Sequence, residues 1–319
     1  MTHSPVSLVS VVCPCYRESA NIAPLVAAVA EALEPTGVPW ELVLVNDGSP
    51  DDTWSRISAA AAATPNVRGV NFSRNFGKEA AMLAGLRAAQ GDAVILMDAD
   101  LQHPPSLIPQ LLATMEEQQV DQVIARRTRD GEPWVRRALS QLYYRIVRAL
   151  MDVGLEDGVG DFRLFSRRAV DAILSLTETN RFSKGLFAWV GFPRAVIDYR
   201  NVERQSGSSS WGFRSLMNYG IDGVIAFNDR PLRLAVHAGF AAVGLSLLYL
   251  LWMFIDWMAN GVTAPGYLTT LAAIVLLGGV QLVFLGVLGE YIGRIHSEVK
   301  NRPVYIIADT TPGPDPTTC

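Results

Sequence analysis

The first 125 residues switch between two hydrophobic rhythms. Runs that are apolar almost throughout lie at residues 7–13, 40–45, 67–72, 93–97 and 122–125, and predict buried strands. Between them, residues 22–33, 53–63, 79–89 and 105–118 mix apolar and polar positions at helical spacing. Asn21 is placed to cap the first helix, and Gly91 closes the third. Strands that alternate with helices predict a parallel, doubly wound α/β sheet covered on both faces. Ligands of such sheets bind beyond the carboxyl ends of the strands, where this chain collects its polar and acidic residues. Two later stretches are amphipathic. In residues 138–152, Leu139, Leu142, Tyr143, Ile146, Val147, Leu150 and Met151 share one helical face, which fits packing on the sheet or at a bilayer surface equally well. Residues 211–227 lead straight into a long apolar run, which favours the bilayer surface.

Two apolar runs follow. Residues 234–255 carry no formal charge and only His237 is ionisable, while residues 266–289 carry none. Each exceeds the roughly 20 residues that a helix needs to cross ~30 Å of hydrocarbon. The linker at 256–265 has no Lys or Arg, whereas Arg230, Arg233, Arg294, Lys300 and Arg302 flank the outer ends. The positive-inside tendency then places both outer ends in the cytoplasm. Trp252, Trp257 and Tyr267 occupy interfacial positions.

Composition agrees with a membrane part: half of the 319 residues are hydrophobic and 18% are charged. The net charge of -4 gives no basic excess and argues against nucleic acid as a partner. Cys13, Cys15 and Cys319 form no zinc or disulfide pattern and read as reduced thiols. Residues 1–6 lack the basic segment and apolar core of a signal peptide. The Thr/Pro-rich tail from Asp309 reads as disordered.

Three strings carry candidate chemistry. Asp98-Ala99-Asp100-Leu101-Gln102-His103-Pro104-Pro105 follows an apolar strand, and a loop there can turn both carboxylates towards one ion. Hard divalent cations such as Mg²⁺ take oxygen ligands from few carboxylates and from substrate phosphates, and would neutralise a departing diphosphate. In Asn46-Asp47-Gly48-Ser49-Pro50-Asp51-Asp52-Thr53, Asp51 or Asp52 suits a helix cap, and Asp47 is placed to accept from a nucleobase. In Pro14-Cys15-Tyr16-Arg17-Glu18, Tyr16 could stack on a base and Glu18 hydrogen-bond to it or to the ribose. Asn75 and Lys78 could close over a donor, although Lys78 also suits a solvated helix start.

Together with Ser73-Arg74-Asn75-Phe76-Gly77-Lys78, Gly160-Asp161-Phe162-Arg163-Leu164 and Leu288-Gly289-Glu290-Tyr291-Ile292-Gly293-Arg294-Ile295, these strings resemble the polyprenyl-phosphate glycosyltransferases of glycosyltransferase family 2, in their bacterial form with two membrane helices. The resemblance implies a GT-A fold with a mostly parallel sheet. It implies inverting transfer from a UDP- or GDP-linked sugar to a polyprenyl phosphate, with Mg²⁺ or Mn²⁺ as cofactor. It places Pro14, Tyr16, Glu18, Asp47, Asn75, Lys78 and Asp98 on the donor, and Asp98, Asp100 and Gln102 on the metal. Arg127, Arg136 and Ser140 resemble residues that hold the lipid phosphate, and Arg204 an arginine on the donor diphosphate. Asp100, Asp161 and Arg204 are then the catalytic set, Asp161 orienting the acceptor or acting as base, although a Gly-Asp pair also suits a turn. Where many members carry Ser-Lys-Tyr or Thr-Lys-Tyr, this chain reads Ser208-Ser209-Ser210-Trp211, and a cation is missing.

The expected organisation is a cytoplasmic GT-A domain at 1–210, juxtamembrane helices at 211–232, two transmembrane helices at about 233–257 and 266–290 within 233–292, and a cytoplasmic tail at 293–319. The implied setting is the inner (cytoplasmic) membrane. The donor, the polyprenyl phosphate, the bilayer and a second copy of the chain are the implied partners. A processive polysaccharide synthase would carry a Gln-x-x-Arg-Trp string, which is absent. A non-enzymatic scaffold or lipid transporter on a transferase-like fold is the alternative of a different class, against which the retained Asp47, Asp98 and Asp100 argue.

Overall fold

The computed structural model describes residues 5–127, 159–179, 181–199, 230–260 and 266–311. Eight strands form one sheet: β1 (Val9–Cys15), β2 (Trp40–Asn46), β3 (Val67–Phe72), β4 (Ala93–Leu96), β5 (Gln122–Arg127), β6 (Val159–Ser166), β7 (Arg194–Tyr199) and β8 (Ile307–Thr310). Their order is β7-β5-β6-β4-β1-β2-β3-β8. The helices are α1 (Ile22–Leu33), α2 (Thr53–Ala63), α3 (Lys78–Ala88), α4 (Ile108–Gln118), α5 (Arg167–Ser175), α6 (Ser183–Trp189), α7 (Arg230–Asn260) and α8 (Tyr267–Val299).

Strand alternation assigns the two faces. Val9, Val11, Cys13 and Cys15 pack on one side with Leu25 and Val29 of α1 and Leu111 of α4. Val12, Val43 and Val45 point to the other, against Ala81 and Leu86 of α3 and Ile173 of α5. β1 and β2 are buried along nearly their whole length, which explains why they read as unbroken apolar runs.

The sheet is mostly, not wholly, parallel. β1 pairs in parallel with β2 and β4, β2 with β3, and β5 with β7. β6 runs antiparallel between β4 and β5, with Leu96 opposite Arg163. This bears out the mostly parallel sheet that the family resemblance implied; the open point was residues 160–164, which form part of this strand and not a turn. The reversal carries the amino end of β6, and Asp161 with it, to the edge where β1, β2 and β4 end.

The tail also differs from expectation. Residues 309–311 are placed and not disordered. β8 adds antiparallel to the edge strand β3, Thr311 N donates to Gly69 O at 3.0 Å, and Gly69 N donates to Thr311 Oγ1 at 2.7 Å. Backbone pairing needs little from side chains, so a Thr/Pro-rich composition does not forbid it.

α7 and α8 are long and apolar enough to cross a membrane, over 239–256 and 276–299. Their large apolar side chains, among them Phe240 at 74% and Leu282 at 70% exposed, turn outward instead of into a protein core. α8 runs on to Val299, beyond the expected end of its membrane segment at 290. The amphipathic stretches at 138–152 and 211–227 lie outside the described residues, as do Arg136, Ser140, Arg204 and Ser210.

Candidate active site

The site forms along the carboxyl edge of β2, β1 and β4, joined by the start of β6. β1 ends at Pro14 and Cys15, and the chain then turns through Arg17 with φ at 58°. Arg17 N donates to Ser49 Oγ at 3.0 Å and Glu18 N to Thr53 Oγ1 at 3.1 Å, tying the β1 loop to the start of α2. Tyr16 is 42% exposed, as a stacking surface requires. Glu18 accepts from Asn21 Nδ2 at 2.5 Å, so Asn21 spends its amide on Glu18 and makes no side-chain cap to α1. At α2 it is Asp51 that accepts from Thr53 N, at 3.2 Å, while Asp52 pairs with Arg56.

Asp47 is buried, and its carboxylate accepts from Phe76 N at 2.7 Å and Gly77 N at 2.9 Å. Burial raises its pKa against the pull of those amides and of Arg74. Sequence reasoning gave Asp47 to a nucleobase. The structure gives both its oxygens to the loop before α3, so Asp47 first of all holds that loop in place. The same loop presents Asn75, which is exposed, and Lys78.

Beyond β4 the backbone folds back on itself. Asp98 N donates to His103 Nδ1 at 3.1 Å, Asp100 Oδ1 accepts from Gln102 N at 3.1 Å, and Leu101 has φ at 59°. This tight turn brings Asp98 and Asp100 out on one short loop. Burial lowers the His103 pKa, and its Nδ1 serves as an acceptor, so the ring is a neutral strut stacked on Phe162 at 5.2 Å. Its place within the Asp98–Pro105 string was legible; its supporting role was not.

Lys78 is the centre of the cluster. Its Nζ lies 2.5 Å from Asp98 Oδ1 and 2.6 Å from Asp161 Oδ2. Burial pushes the ammonium down, but Asp98 and Asp161 outweigh it and raise its pKa above the ordinary value. Burial pushes the Asp161 carboxyl up, but Lys78 and Lys184 outweigh that and hold it well below the usual carboxylate range. Lys78, although 40% exposed at its side chain, is therefore not loose; it links the loop after β4 to β6. Arg127 ends β5 and is exposed.

Among the described residues no group of three or more His, Cys, Asp or Glu side chains is placed to cage a metal. Asp98 and Asp100 could hold Mg²⁺ or Mn²⁺ if substrate oxygens completed the shell. Oxygen donors on one turned loop, beside carboxylates that already attract an ammonium, fit such an ion.

Residues that the sequence reading left without a chemical role also meet here. Glu79 accepts from Ser183 N at 3.0 Å, and Glu298 of α8 accepts from Thr179 N at 3.0 Å and from Thr179 Oγ1 at 2.7 Å. Tyr305 stacks on Phe72 at 4.9 Å. The foot of the hairpin is thus joined to the sheet beside the site. No local pattern signals contacts between residues this far apart in the chain.

A mostly parallel α/β sheet with carboxylates at its carboxyl edge, followed by an apolar hairpin, defines a glycosyltransferase of the GT-A fold. A model described as glycosyl transferase family 2 matches residues 10–174, and one described as the GtrB C-terminal hairpin matches 230–295. The chain belongs to glycosyl transferase family 2. It is 48% identical to the putative glycosyltransferase CsbB of Bacillus subtilis, over 95% of this chain and 92% of that protein. It is 42% identical to the SfII prophage-derived bactoprenol glucosyl transferase of Shigella flexneri, over 94% of this chain and 97% of that protein. A solved mannosyltransferase from Pyrobaculum calidifontis, in complex with GDP-Man and Mn²⁺, is 18% identical with a TM-score of 0.49, over 93% of this chain and 87% of that chain.

Proposed function

We propose that the protein transfers a sugar from a nucleotide-sugar to a polyprenyl phosphate at the cytoplasmic face of the membrane, with inversion at the anomeric carbon. The observation that carries this reading is that Lys78 and Asp161 share a cavity wall with the end of an apolar helix, which Glu298 fastens there through Thr179. A soluble acceptor would not require such an attachment. The name of the Shigella relative supplies the acceptor class, bactoprenol being a polyprenol.

In this reading Tyr16, Glu18 and Asp47 border the nucleotide, with Pro14 and Asn75 alongside. Asp98, Asp100 and Gln102 hold Mg²⁺ or Mn²⁺, which supplies positive charge to the diphosphate when bound. An oxygen of the lipid phosphate attacks the sugar C1 from the face opposite the diphosphate. The bond from C1 to the diphosphate oxygen breaks, and its electron pair leaves with the nucleoside diphosphate. A phosphate monoester is already anionic at neutral pH, so the attack needs positioning more than a base. Asp161, held on Lys78, therefore orients. Arg127, with Arg136 and Ser140, steadies the attacking phosphate, and Arg204 the leaving diphosphate. Both ends of the hairpin lie on the cytoplasmic side, with the linker at 256–265 on the other side of the membrane.

The test is transfer itself. The purified full chain is incubated with undecaprenyl phosphate, Mg²⁺ or Mn²⁺ and each common UDP- and GDP-sugar, and lipid products are read by mass spectrometry. A lipid-linked monosaccharide is expected with one donor. No product with any donor would favour a scaffold or transporter instead.

A further inference from the structure

A cavity of about 760 Å³ lies between the last turn of α8 and the start of α6, and opens beside Lys78 and Asp161. Separate parts of the chain bring cations to its wall: Arg181 and Lys184 from around α6, Lys300 and Arg302 from just past α8. Arg181 is buried, and its guanidinium donates to the carbonyls of Leu176 at 2.8 Å and Ile173 at 3.2 Å. Those bonds fix its position without cancelling its charge. Among the described residues, Lys184, Lys300 and Arg302 make no ion pair. The same wall carries two carboxylates, Glu79, which accepts from Ser183, and Asp161, which pairs with Lys78, so its five cations outnumber them. An excess of cations around a concavity raises the local concentration of anions and favours one as a ligand.

We propose that this cavity is the docking station for the lipid acceptor's phosphate, received by Arg181, Lys184, Lys300 and Arg302 on its way from the bilayer to the sugar. The inference rests on the lipid-phosphate reading above and names its route. Position selects this anion over the donor. The wall includes Ser297 and Lys300, where α8 extends past its apolar segment, on the path from the bilayer to the sheet. Tyr16, Glu18 and Asp47, on the nucleotide side, belong to the ends of β1 and β2 and are not on the cavity wall, which meets that side only through residues 76–80 before and at the start of α3. Lys184 shares the cavity wall with Lys78 and Asp161, beside the reacting centre. The phosphate thus meets the cavity first and Arg127 second.

The experiment uses the full chain in phosphatidylcholine nanodiscs, with undecaprenyl phosphate and, in parallel, a short water-soluble isoprenyl phosphate. Lys184→Ala, Lys300→Ala and Arg302→Ala are each expected to raise the acceptor KM by about ten-fold, the size of one lost charge-assisted contact. Arg302→Glu is expected to raise it further. In the Lys300 and Arg302 variants, donor KM, kcat at saturating acceptor and the thermal midpoint are expected to stay near wild type. Unchanged acceptor KM in all four variants would overturn the docking station alone, provided wild type transfers. An equal rise in donor KM would assign the cations to the donor and overturn it too. A defect seen only after anionic phospholipid is added would assign the cavity to membrane headgroups. Absence of transfer by wild type would instead sink the functional reading and the docking station with it.

Discussion

Gly48 is where the donor-side architecture can be broken with one methyl group. It sits at φ +57°, and a Cβ there would lie 2.2 Å from the Arg74 carbonyl carbon, 2.5 Å from Asn75 N and 2.6 Å from Arg74 O. All three are backbone atoms, and their segment is pinned on both sides. Asp47 holds Phe76 and Gly77 by their amides, and Ser73 N donates to Ile306 O at 3.0 Å. Two costs add in Gly48→Ala. The left-handed conformation costs about 1–2 kcal/mol for a residue with a Cβ. Forcing the loop away costs about 1–3 kcal/mol more. Gly37→Ala separates them: its φ is +68° and nothing lies within 4 Å of its Cβ position, so it incurs only the first cost. At roughly 2–4 °C per kcal/mol, Gly37→Ala lowers the thermal midpoint by roughly 2–8 °C and Gly48→Ala by roughly 4–20 °C. Scanning fluorimetry of the detergent-solubilised full chain measures both. Donor KM should rise in Gly48→Ala alone, because the displaced segment carries Asn75 and Lys78. Equal midpoints and equal donor KM for the two variants would refute the close approach of the two loops.

Asp100→Asn is expected to abolish transfer at an unchanged thermal midpoint, because the ion loses a ligand charge; normal turnover would remove Asp100 from the metal site. Lys78→Met leaves Asp98 and Asp161 facing each other within about 5 Å, a repulsion of roughly 1–3 kcal/mol in this half-exposed setting. Its metal-free thermal midpoint should fall, and added Mg²⁺ should raise that midpoint more than in wild type; matching Mg²⁺ responses would contradict the role of Lys78 as an internal counter-ion. Arg136→Ala is expected to raise the acceptor KM more than the donor KM, and equal effects would take Arg136 away from the acceptor.

Where contacts are local, the sequence was a good guide. The bounds of α2 and β3 coincide with expectation, and β1, β2, β4 and β5 differ by a few residues at their ends. Those strands are buried on both faces, so their composition alone marks them. Asp47, Asp98 and Asp100 stood out as candidates for a related reason: each follows an apolar strand just where the chain leaves the sheet. β6 was harder, because Gly160-Asp161 imitates a turn while the antiparallel pairing that makes it a strand comes from β4 and β5, far away in the chain. Lys78 was ambiguous, since a helix-start lysine normally points to water and only the fold brings Asp98 and Asp161 to it. Lys300 and Arg302 were legible as flanking charges of a membrane helix, but their cavity exists only because α6 packs nearby.

The return of the chain after α8 explains how a membrane hairpin can act on a site that it does not itself contain. If the catalytic sheet were joined to the hairpin only through the segment before α7, the tilt of the domain on the membrane would depend on that single connection. Instead the chain leaves α8 at Val299 and reaches β8 at Ile307, where it pairs with β3. The eight residues from Lys300 to Ile307 thus run from the end of the helix to the edge of the sheet, too short a stretch to let either move far without the other. Glu298 grips Thr179 just before this stretch, and Tyr305 stacks on Phe72 within it. Both contacts border the region of Lys78 and Asp161. A closed sheet edge also spares β3 from pairing with another copy, a hazard for any exposed strand. The same short segment therefore caps an edge, sets the distance between bilayer and carboxylates, and carries Lys300 and Arg302 to the cavity wall.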